Sequence, residues 1–352
     1  MRTKTAVAFL LIGIFLMGAV CAFGTNPQAR ITVRVTDDAG VVVTGAMVRA
    51  RTFSKWKGWP GLSDKEYAFV VGNVDSNGVA TLETECEDGE VKCWVYAPGT
   101  TFENNRKIEI SRSIYYTDFG KLVIFTNIVD GQQQPWNPLV DLQIKRVLNP
   151  IPMYAMKLQM GDSLIPAFGE SLCFDLEKGD WLPPHGNGQT ADFIFRLDCE
   201  YGERLDSGIL AFDATLTLGF SNEDDGILEF PDQQPQGEGG VFRLPRFAPE
   251  SGYANQWSLR QFAKKEGMSF LKGDENLNYF FRVRTKKDET GKIISANYGK
   301  IRGAINFGVA SRNPTLQLCY YLNPTANDRN MEFDPKRNLF TDLAPMEQVN
   351  EP

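Results

Sequence analysis

Apolar and polar residues alternate along most of the chain, and this pattern predicts β-strands. Residues 31–35, Ile-Thr-Val-Arg-Val, alternate with a period of two, as a half-buried strand does. Turn sequences such as Asp37–Gly40 and Asp75–Gly78 separate these runs at short intervals. Short strands joined by frequent turns are typical of a β-sandwich. We therefore predict a small sandwich over residues 29–130.

The segment that follows residue 130 is polar and rich in proline, and the alternation restarts beyond it. We assign residues 131–138 to a linker and residues 139–340 to a larger β-rich domain. One helix is predicted near residues 258–265, and residues 341–352 are predicted to form a flexible tail. The expected fold class is all-β, with an Ig-like or transthyretin-like sandwich followed by a larger antiparallel sandwich of the jelly-roll type.

The N-terminal segment has the three parts of a secretory signal peptide. Arg2 and Lys4 precede an apolar run from Ala6 to Met17, and small residues follow up to Ala22. We predict cleavage after residue 22 and a secreted, periplasmic or cell-surface location. A retained membrane anchor and lipidation of Cys21 are the alternatives. The apolar run is short for a span, and Val20 stands where lipoproteins carry Gly or Ala. No membrane span is expected after signal removal.

Composition and charge indicate which kinds of molecule the protein can bind. The chain carries 44 Asp and Glu against 37 Lys and Arg, a formal net charge of −7. Nucleic-acid binding requires a basic face that neutralises phosphates, so no nucleic-acid partner is expected. The 24 Phe, 11 Tyr and 6 Trp favour pleated, half-buried surfaces over helices. The expected partners are glycans or other proteins of the cell envelope.

Five of the six cysteines remain after the signal peptide is removed, so at least one is unpaired within the chain. The nearest candidates for a disulfide bond in an oxidising compartment are Cys86 and Cys93, which flank the Asp88-Gly89 turn. Their diagonal placement across a hairpin is poor disulfide geometry. The other three lie in apolar, strand-like runs, where they are expected to pack as small buried side chains.

The first domain resembles a known class of module. The sequence VTDDAGVVVTGAMVRA, followed by VDSNGVATL, is similar to carboxypeptidase regulatory-like modules, including their two Asp…Gly turns at Asp38–Gly40 and Asp75–Gly78. The similarity covers residues 29–97. It implies a transthyretin-like or Ig-like sandwich that serves as a non-catalytic spacer or a starch-binding-like fold. The resemblance therefore implies display or attachment and no reaction.

Several segments of the second part, among them Phe174–Phe195 and Tyr320–Phe340, resemble a group of uncharacterised secreted proteins from Verrucomicrobia, Lentisphaerae and Planctomycetes. In that group a regulatory-like module precedes a β-rich domain. The resemblance implies that the chain comes from a related bacterial lineage and is exported. It implies no activity.

Two tryptophans lie in a Gly- and Pro-containing segment of the first domain. Trp56 and Trp59 belong to the sequence Phe53–Gly61, and flat indole faces there would suit a sugar ring. We predict a candidate carbohydrate platform at these two residues. The alternative is that both indoles plug the end of the sandwich or the interface with the second domain.

A candidate ligand site lies in the second domain, in the Gly179–Gly188 loop. Ten residues there contain an Asp, a Trp, two Pro and the single His of the chain. We predict that basic residues of later strands fold back to this loop and form a polar cluster beside the indole. The alternative is a structural turn in which the aspartate caps backbone amides. The candidate ligand-binding residues are Asp180, Trp181, His185, Asp192, Arg282, Arg284 and Lys300.

Oxygen-bearing side chains also occupy every second position near the C-terminus: Asp328, Asn330, Glu332 and Asp334. In an extended chain they share one face, and calcium binds such oxygens. Calcium is therefore a candidate ligand, and no other cofactor is expected. The alternative is an edge strand with Met331 and Phe333 buried and the polar side chains facing solvent.

The catalytic possibilities are few. A Ser-His-Asp triad would require His185, and no G-x-S-x-G motif is present. A carboxylate pair for glycoside hydrolysis depends on a separation that a sequence does not show. We predict an exported, non-catalytic binding or structural protein of the envelope. The alternative is a carbohydrate-binding or carbohydrate-active protein that uses exposed Trp platforms.

Overall fold

The computed structural model describes residues 26–57, 64–103, 106–109, 114–116, 119–159, 164–206, 208, 210–231, 241–265, 267–269, 277–309 and 313–352. In these ranges the chain forms strands and a single 3-10 helix at Pro335–Arg337. The strands, in chain order, are β1 Gln28–Asp37, β2 Met47–Lys57, β3 Asp64–Asn73, β4 Val79–Glu85, β5 Glu90–Tyr96, β6 Thr100–Glu103, β7 Arg106–Glu109, β8 Phe119–Ile124, β9 Asn127–Val129, β10 Gln132–Gln134, β11 Leu139–Ile144, β12 Tyr154–Leu158, β13 Ser171–Asp175, β14 Asp180–Trp181, β15 Phe193–Arg204, β16 Leu210–Gly219, β17 Gly226–Pro231, β18 Gln256–Lys264, β19 Gly267–Ser269, β20 Leu277–Lys287, β21 Ile293–Ile301, β22 Asn306–Gly308 and β23 Thr315–Asn323.

The first part of the chain is a sandwich of two sheets. One sheet has the order β11-β1-β10-β9, with β4 paired to β1, and the other has the order β3-β2-β5-β8. Alternate residues of β1 point into the space between them: Ala29, Ile31, Val33 and Val35 are buried. The opposing sheet contributes its own alternate residues to the same apolar cluster. The period-two pattern of the sequence therefore builds this core.

The segment that the sequence assigns to a linker lies within this first sheet. Strand β10 pairs in parallel with β1 at Gln28, and β11 pairs in parallel with β1 from Thr32 to Asp37. The strand expected to begin the second domain thus completes the first sheet. These pairings place the change of sheet after Ile144, and the division of the chain into domains stays a prediction.

The second part is a larger sandwich of two six-stranded sheets. The front sheet has the order β14-β13-β15-β16-β18-β19, and the back sheet has the order β12-β23-β21-β20-β17, with β22 paired to β23. Every strand pair in these two sheets is antiparallel. Aromatic side chains such as Phe193, Phe195 and Phe281 fill the space between the sheets. The predicted all-β fold class of successive sandwiches is confirmed.

The back sheet is buried on both faces. Tyr279 and Phe281 of β20 face the front sheet, whereas Phe280 faces a second apolar cluster on the opposite side. Irregular segments cover that side and contribute Leu244, Phe333 and other residues. A strand buried on both faces reads as a continuous apolar run, which is why Tyr-Phe-Phe stands at the centre of β20.

Two elements differ from the sequence prediction. In the segment 258–265, predicted as a helix, residues 258–264 lie in strand β18, where Trp257, Leu259 and Ala263 repeat with a period of two. Residues 341–352, predicted as a flexible tail, pack against the back sheet: Val349 is buried, and the Tyr321 hydroxyl donates to the Glu351 carbonyl. Val349, an apolar residue that the sequence pattern did not single out, packs this segment against the back sheet.

The five cysteines in the described residues are not joined in disulfide bonds, and Cys86 and Cys93 are both buried. Burial raises the pKa of the Cys86 thiol to about 11. These two residues therefore pack in the core of the first sandwich as small apolar side chains. Among the residues that the structure describes, no helix has the length and apolar character that a membrane crossing requires.

Candidate functional site

The loop after β14 is shaped by Asp180. Its Oδ1 accepts from the Trp181 amide at 2.8 Å, and its Oδ2 accepts from the Asn187 amide at 2.8 Å. A Cβ at Gly186 would lie 2.4 Å from Asp180 Oδ1, so glycine is required for the close approach. The Asp180 carboxylate thus closes the loop on itself, which is the turn-forming role weighed as the alternative for this residue.

The Trp181 indole is half-buried and belongs to the core of the larger sandwich. Its ring centroid lies 5.2 Å from that of Phe174 and 5.8 Å from that of Phe195, both in edge-to-face geometry. Part of the indole also lines a surface cleft of about 200 Å³. This side chain therefore packs the core and borders the cleft.

The cleft is formed where the start of β13 meets the loop. Its lining residues are Glu170, Ser171, Leu172, Cys173, Trp181, Leu182, Pro183, Pro184 and His185. His185 is exposed, and its backbone amide donates to the Leu182 carbonyl at 3.1 Å. The cleft combines apolar and prolyl surface with one imidazole and one carboxylate at its edge. Such a surface suits a small ligand with both apolar and polar groups.

Asp192 and Arg284 meet at the start of β15, as the sequence analysis expected for a basic residue of a later strand. Arg284 Nε donates to Asp192 Oδ1 at 2.8 Å, and Arg284 Nη2 donates to Asp192 Oδ2 at 2.9 Å. Arg284 Nη1 also pairs with Glu177. Burial raises the pKa of the Asp192 carboxyl above its ordinary value, although Arg284 opposes that shift. The result is a bidentate ion pair at the edge of the core.

Asp175 is the neighbouring carboxylate, and it is buried among backbone donors. It accepts from the amides of Glu177, Lys178, Gln189 and Thr190 at 2.8 to 3.1 Å. Burial alone raises the pKa of this carboxyl, but the four amide donors together bring the pKa below its ordinary value. Asp175 therefore fastens the two ends of the loop to each other. The sequence analysis did not select it, although an Asp directly after an apolar strand is a common turn-forming signal.

Arg282 and Lys300 lie away from this cluster. The Arg282 guanidinium donates to the Asp224 carbonyl and lies over the Tyr253 ring. Lys300 is buried, and its Nζ donates to the Met331 carbonyl at 2.8 Å. The structure thus brings Arg284 to Asp192 and does not bring Arg282 or Lys300 to them. Lys300 faces the far side of the back sheet, and an irregularity in β20 after Val283, where Arg284 has a φ of 58°, turns Arg284 away from the direction of Arg282.

The row of oxygen-bearing residues near the C-terminus does not converge on one point. Asp328 accepts from the Asn330 amide, Asn330 accepts from the Glu332 amide, and Asp334 accepts from the Lys336 amide and pairs with Arg337. In the ranges described above, no group of three or more His, Cys, Asp and Glu side chains is placed to hold a metal ion. The oxygens of this row are thus engaged in turn and cap hydrogen bonds.

Glu332 is fully buried, whereas an edge strand would expose it. It accepts from the Tyr116 hydroxyl at 2.9 Å and from the amides of Leu148 and Asn149 at 2.8 and 3.0 Å. Arg246 pairs with it and also with Asp38 of the first sandwich, at 2.8 Å. The segment around Glu332 forms only isolated bridges, one of them between Phe333 and Ile151. Glu332 therefore joins the two sandwiches, a role that local alternation did not indicate.

Most of the predicted carbohydrate platform lies outside the described residues. Trp56 lies in β2, opposite Lys65 of β3. Trp59 and the side chain of Trp56 lie outside the described part of the chain. The platform stays a prediction.

Comparisons with known proteins complete the description of the site. No protein-family model matches the sequence, and no curated protein is similar to it at a significant level. Among solved structures, a DUF3823 family protein from Parabacteroides merdae is 9% identical, with a TM-score of 0.18 over 84% of this chain and 96% of that one. The full-length major pilin SpaD from Corynebacterium diphtheriae is 10% identical, with a TM-score of 0.22 over 82% of this chain and 91% of that one. TM-scores this low do not support an argument about function.

Proposed function

We propose that this chain is an exported, non-catalytic binding or structural protein of the cell envelope. One observation carries the proposal: the aspartates of the candidate site are engaged in holding the fold. Asp175 accepts four backbone amides, Asp180 closes its own loop, and Asp192 is held in a bidentate pair by Arg284. A general acid or base must instead present its oxygens to a substrate.

The single histidine supports the same proposal. His185 is exposed at the rim of the cleft, and the carboxylates Asp180 and Asp192 are engaged elsewhere. A nucleophile-activating histidine is oriented by a carboxylate in the arrangement that such enzymes share. The signal-like N-terminus supports export.

Turnover assays test this proposal. The chain from residue 23 onward is incubated with chromogenic polysaccharides, nitrophenyl esters and a peptide library, beside the Asp192→Asn and Glu170→Gln variants. We expect no turnover above that of a heat-denatured sample. Turnover that one of these carboxylate substitutions abolishes, with the fold intact by circular dichroism, would contradict a non-catalytic role.

A second candidate function, carbohydrate binding, is supported by the cleft of about 200 Å³ beside Trp181. Its prolyl and indole surfaces resemble the apolar part of a sugar site, and His185 supplies a polar group at the rim. A glycan array followed by calorimetry tests it. Binding that His185→Ala weakens and Lys336→Ala leaves unchanged supports this function. An array without hits rejects it.

A further inference from the structure

The outer face of the β3-β2-β5-β8 sheet exposes an unusual number of large apolar side chains. Their exposed fractions run from 38% to 63%. Three of them belong to β3 and two to β8, and all point away from the core of the first sandwich: Tyr67, Phe69, Val71, Leu122 and Ile124. These side chains form two groups, one on each outer strand of the sheet, and exposed apolar groups of this size on one face indicate an interaction site. We call this surface the outer sheet face.

Cationic side chains occupy the two central strands of the outer sheet face. The register places Phe69, Arg51, Lys92 and Leu122 in one row across the four strands. The Arg51 guanidinium lies 4.7 Å from the Tyr67 ring centroid, and Lys92 Nζ lies 5.6 Å from that of Trp94. Each cation is therefore held against an aromatic ring and remains at the surface.

The neighbouring row repeats this arrangement. Arg49 lies between Val71 of β3 and Trp94 of β5, and its guanidinium is 4.1 Å from the Phe69 ring centroid. Lys65 Nζ lies 5.4 Å from the Phe53 ring centroid. Arg51 and Lys92 form no ion pair with a carboxylate in the described part of the chain. Glu90 of β5, opposite Ile124, is an exposed carboxylate of the same face, and the four cations outnumber it on a chain whose net charge is −7.

We propose that the outer sheet face docks on an anionic lipid surface. The side chains of Val71, Leu122 and Ile124 carry no hydrogen-bonding group. They can therefore enter the apolar region between the lipid headgroups and the acyl chains. Aromatic side chains favour the same depth, and Arg and Lys reach the phosphates while their stems cover apolar surface. The charge of the face is complementary to acidic phospholipids.

Charge disfavours a second copy of the chain as the occupant. A two-fold contact between outer sheet faces would bring Arg49, Arg51, Lys65 and Lys92 of each copy against those of the other. The lipid assignment rests on the proposed exported, binding role. It can fail while the turnover assays still support a non-catalytic protein, and the reverse also holds.

Vesicle partitioning tests the assignment. The chain from residue 23 onward is sedimented with liposomes of phosphatidylcholine alone, or with 30 mole per cent phosphatidylglycerol, at two salt concentrations. We expect binding to the anionic vesicles only, and weaker binding at high salt. Each neutralised cation should lower the partition coefficient about fivefold, so Arg51→Gln with Lys92→Gln should lower it about 25-fold. Leu122→Thr with Ile124→Thr should also weaken binding.

The matched control is Lys292→Gln with Lys336→Gln, which removes the same charge from exposed sites in the second part of the chain. This control should bind as the wild type does. Equal loss in the control, or no partitioning of the wild type onto anionic vesicles, overturns the assignment. Binding to polygalacturonate without binding to vesicles, or dimerisation in sedimentation velocity that Arg51→Gln alters, overturns it in favour of a polysaccharide or a second copy.

Discussion

Lys300 is a cation enclosed by the second part of the chain. Its Nζ lies 4.5 Å from the Tyr321 ring centroid and 4.9 Å from that of Phe242, and one carbonyl accepts from it. Burial lowers the pKa of Lys300 well below 10.5, and the positive charge of Arg302 lowers it further. An ammonium in this position has exchanged water for aromatic rings and a single acceptor.

This environment gives the stability of the protein a defined pH dependence. Between its lowered folded-state pKa and 10.5, Lys300 binds a proton more strongly in the unfolded chain than in the folded one. The unfolded state then carries more protons, so stability rises with pH in that window. We predict that wild type gains stability relative to Lys300→Met as the pH rises from 7 to 10. Urea unfolding at several pH values measures this difference, and a difference that does not change with pH contradicts it.

The Arg284–Asp192 pair allows a second prediction at the residue scale. Arg284→Ala leaves the buried Asp192 carboxylate without its bidentate partner, so we expect a loss of about 3 kcal/mol in the free energy of unfolding. The control is Arg196→Ala, which removes an exposed guanidinium that also pairs with an aspartate, Asp198. Exposed pairs contribute little, so the control should unfold as the wild type does. Equal effects of the two substitutions would contradict the structural role of Arg284.

Prediction from sequence succeeded at this scale where short-range rules apply. The alternative given for the Gly179–Gly188 loop was an aspartate that caps backbone amides, and Asp180 does so. The burial of Glu332 was not predictable, because its partner Arg246 is 86 residues away and Tyr116 is 216 residues away. Local alternation places a carboxylate between Met331 and Phe333 on the solvent side, and only the tertiary partners reverse that assignment.

Elements were predicted well where one face of a strand is buried. The alternation of β1, β4 and β11 appears directly as alternating burial. Strand β18 was predicted as a helix because Ser258–Lys265 contains Leu, Gln, Ala and Lys, which favour helices. Its backbone pairs with β16 over eight residues, from Phe212 to Gly219. Tertiary pairing therefore overrides local propensity in this segment.

The Gly179–Gly188 loop gives a prediction at the scale of the element. A Cβ at Gly186 would lie 2.4 Å from both Asp180 Oδ1 and the Trp181 carbonyl. We expect Gly186→Ala to lower the free energy of unfolding by about 2 kcal/mol, since neither neighbour can yield without breaking the loop. At Gly219 the nearest atom to a Cβ would be 4.0 Å away, so Gly219→Ala should be tolerated. Thermal unfolding measures the stability of both variants. A Gly186→Ala variant as stable as the wild type would contradict the close approach at this residue.

At the scale of the whole molecule, Glu332 and Arg246 connect the two sandwiches. Arg246 Nη2 contacts Asp38 Oδ2 and the Arg146 carbonyl, both at 2.8 Å, and Glu332 accepts from Tyr116. The chain crosses between the sandwiches at residues 145–150, next to this network. The connection is therefore fixed by buried hydrogen bonds and ion pairs. A flexible linker of this length would lack such contacts.

Glu332→Gln tests the connection. The amide can accept from fewer donors and leaves Arg246 with one carboxylate partner, so we expect a loss of about 3 kcal/mol and faster tryptic cleavage after Lys145 or Arg146. Glu250→Gln is the control, since it removes an exposed carboxylate that pairs with Arg329. Limited proteolysis with mass spectrometry measures the cleavage. Unchanged cleavage in Glu332→Gln would show that the network does not hold the connection.

The sequence predicted two sandwiches, and the segment that it assigned to a linker, residues 131–138, contributes a strand to the first sheet. Asp130–Pro138 has the composition of a linker, yet β10 lies within it, β11 follows it, and both strands pair with β1. Composition reports that a segment turns at the surface, and it does not report which sheet receives the next strand. Parallel pairing between strands more than 100 residues apart leaves no local signal.

The aspartates of the candidate site hold the fold, and we propose that they perform no chemistry. The most direct test measures turnover and stability together in wild type and Asp192→Asn. We expect no turnover in either protein and a lower free energy of unfolding for the variant, because Arg284 loses the charge of its bidentate partner. Turnover by the wild type that Asp192→Asn abolishes, at unchanged stability, would show instead that Asp192 acts on a substrate.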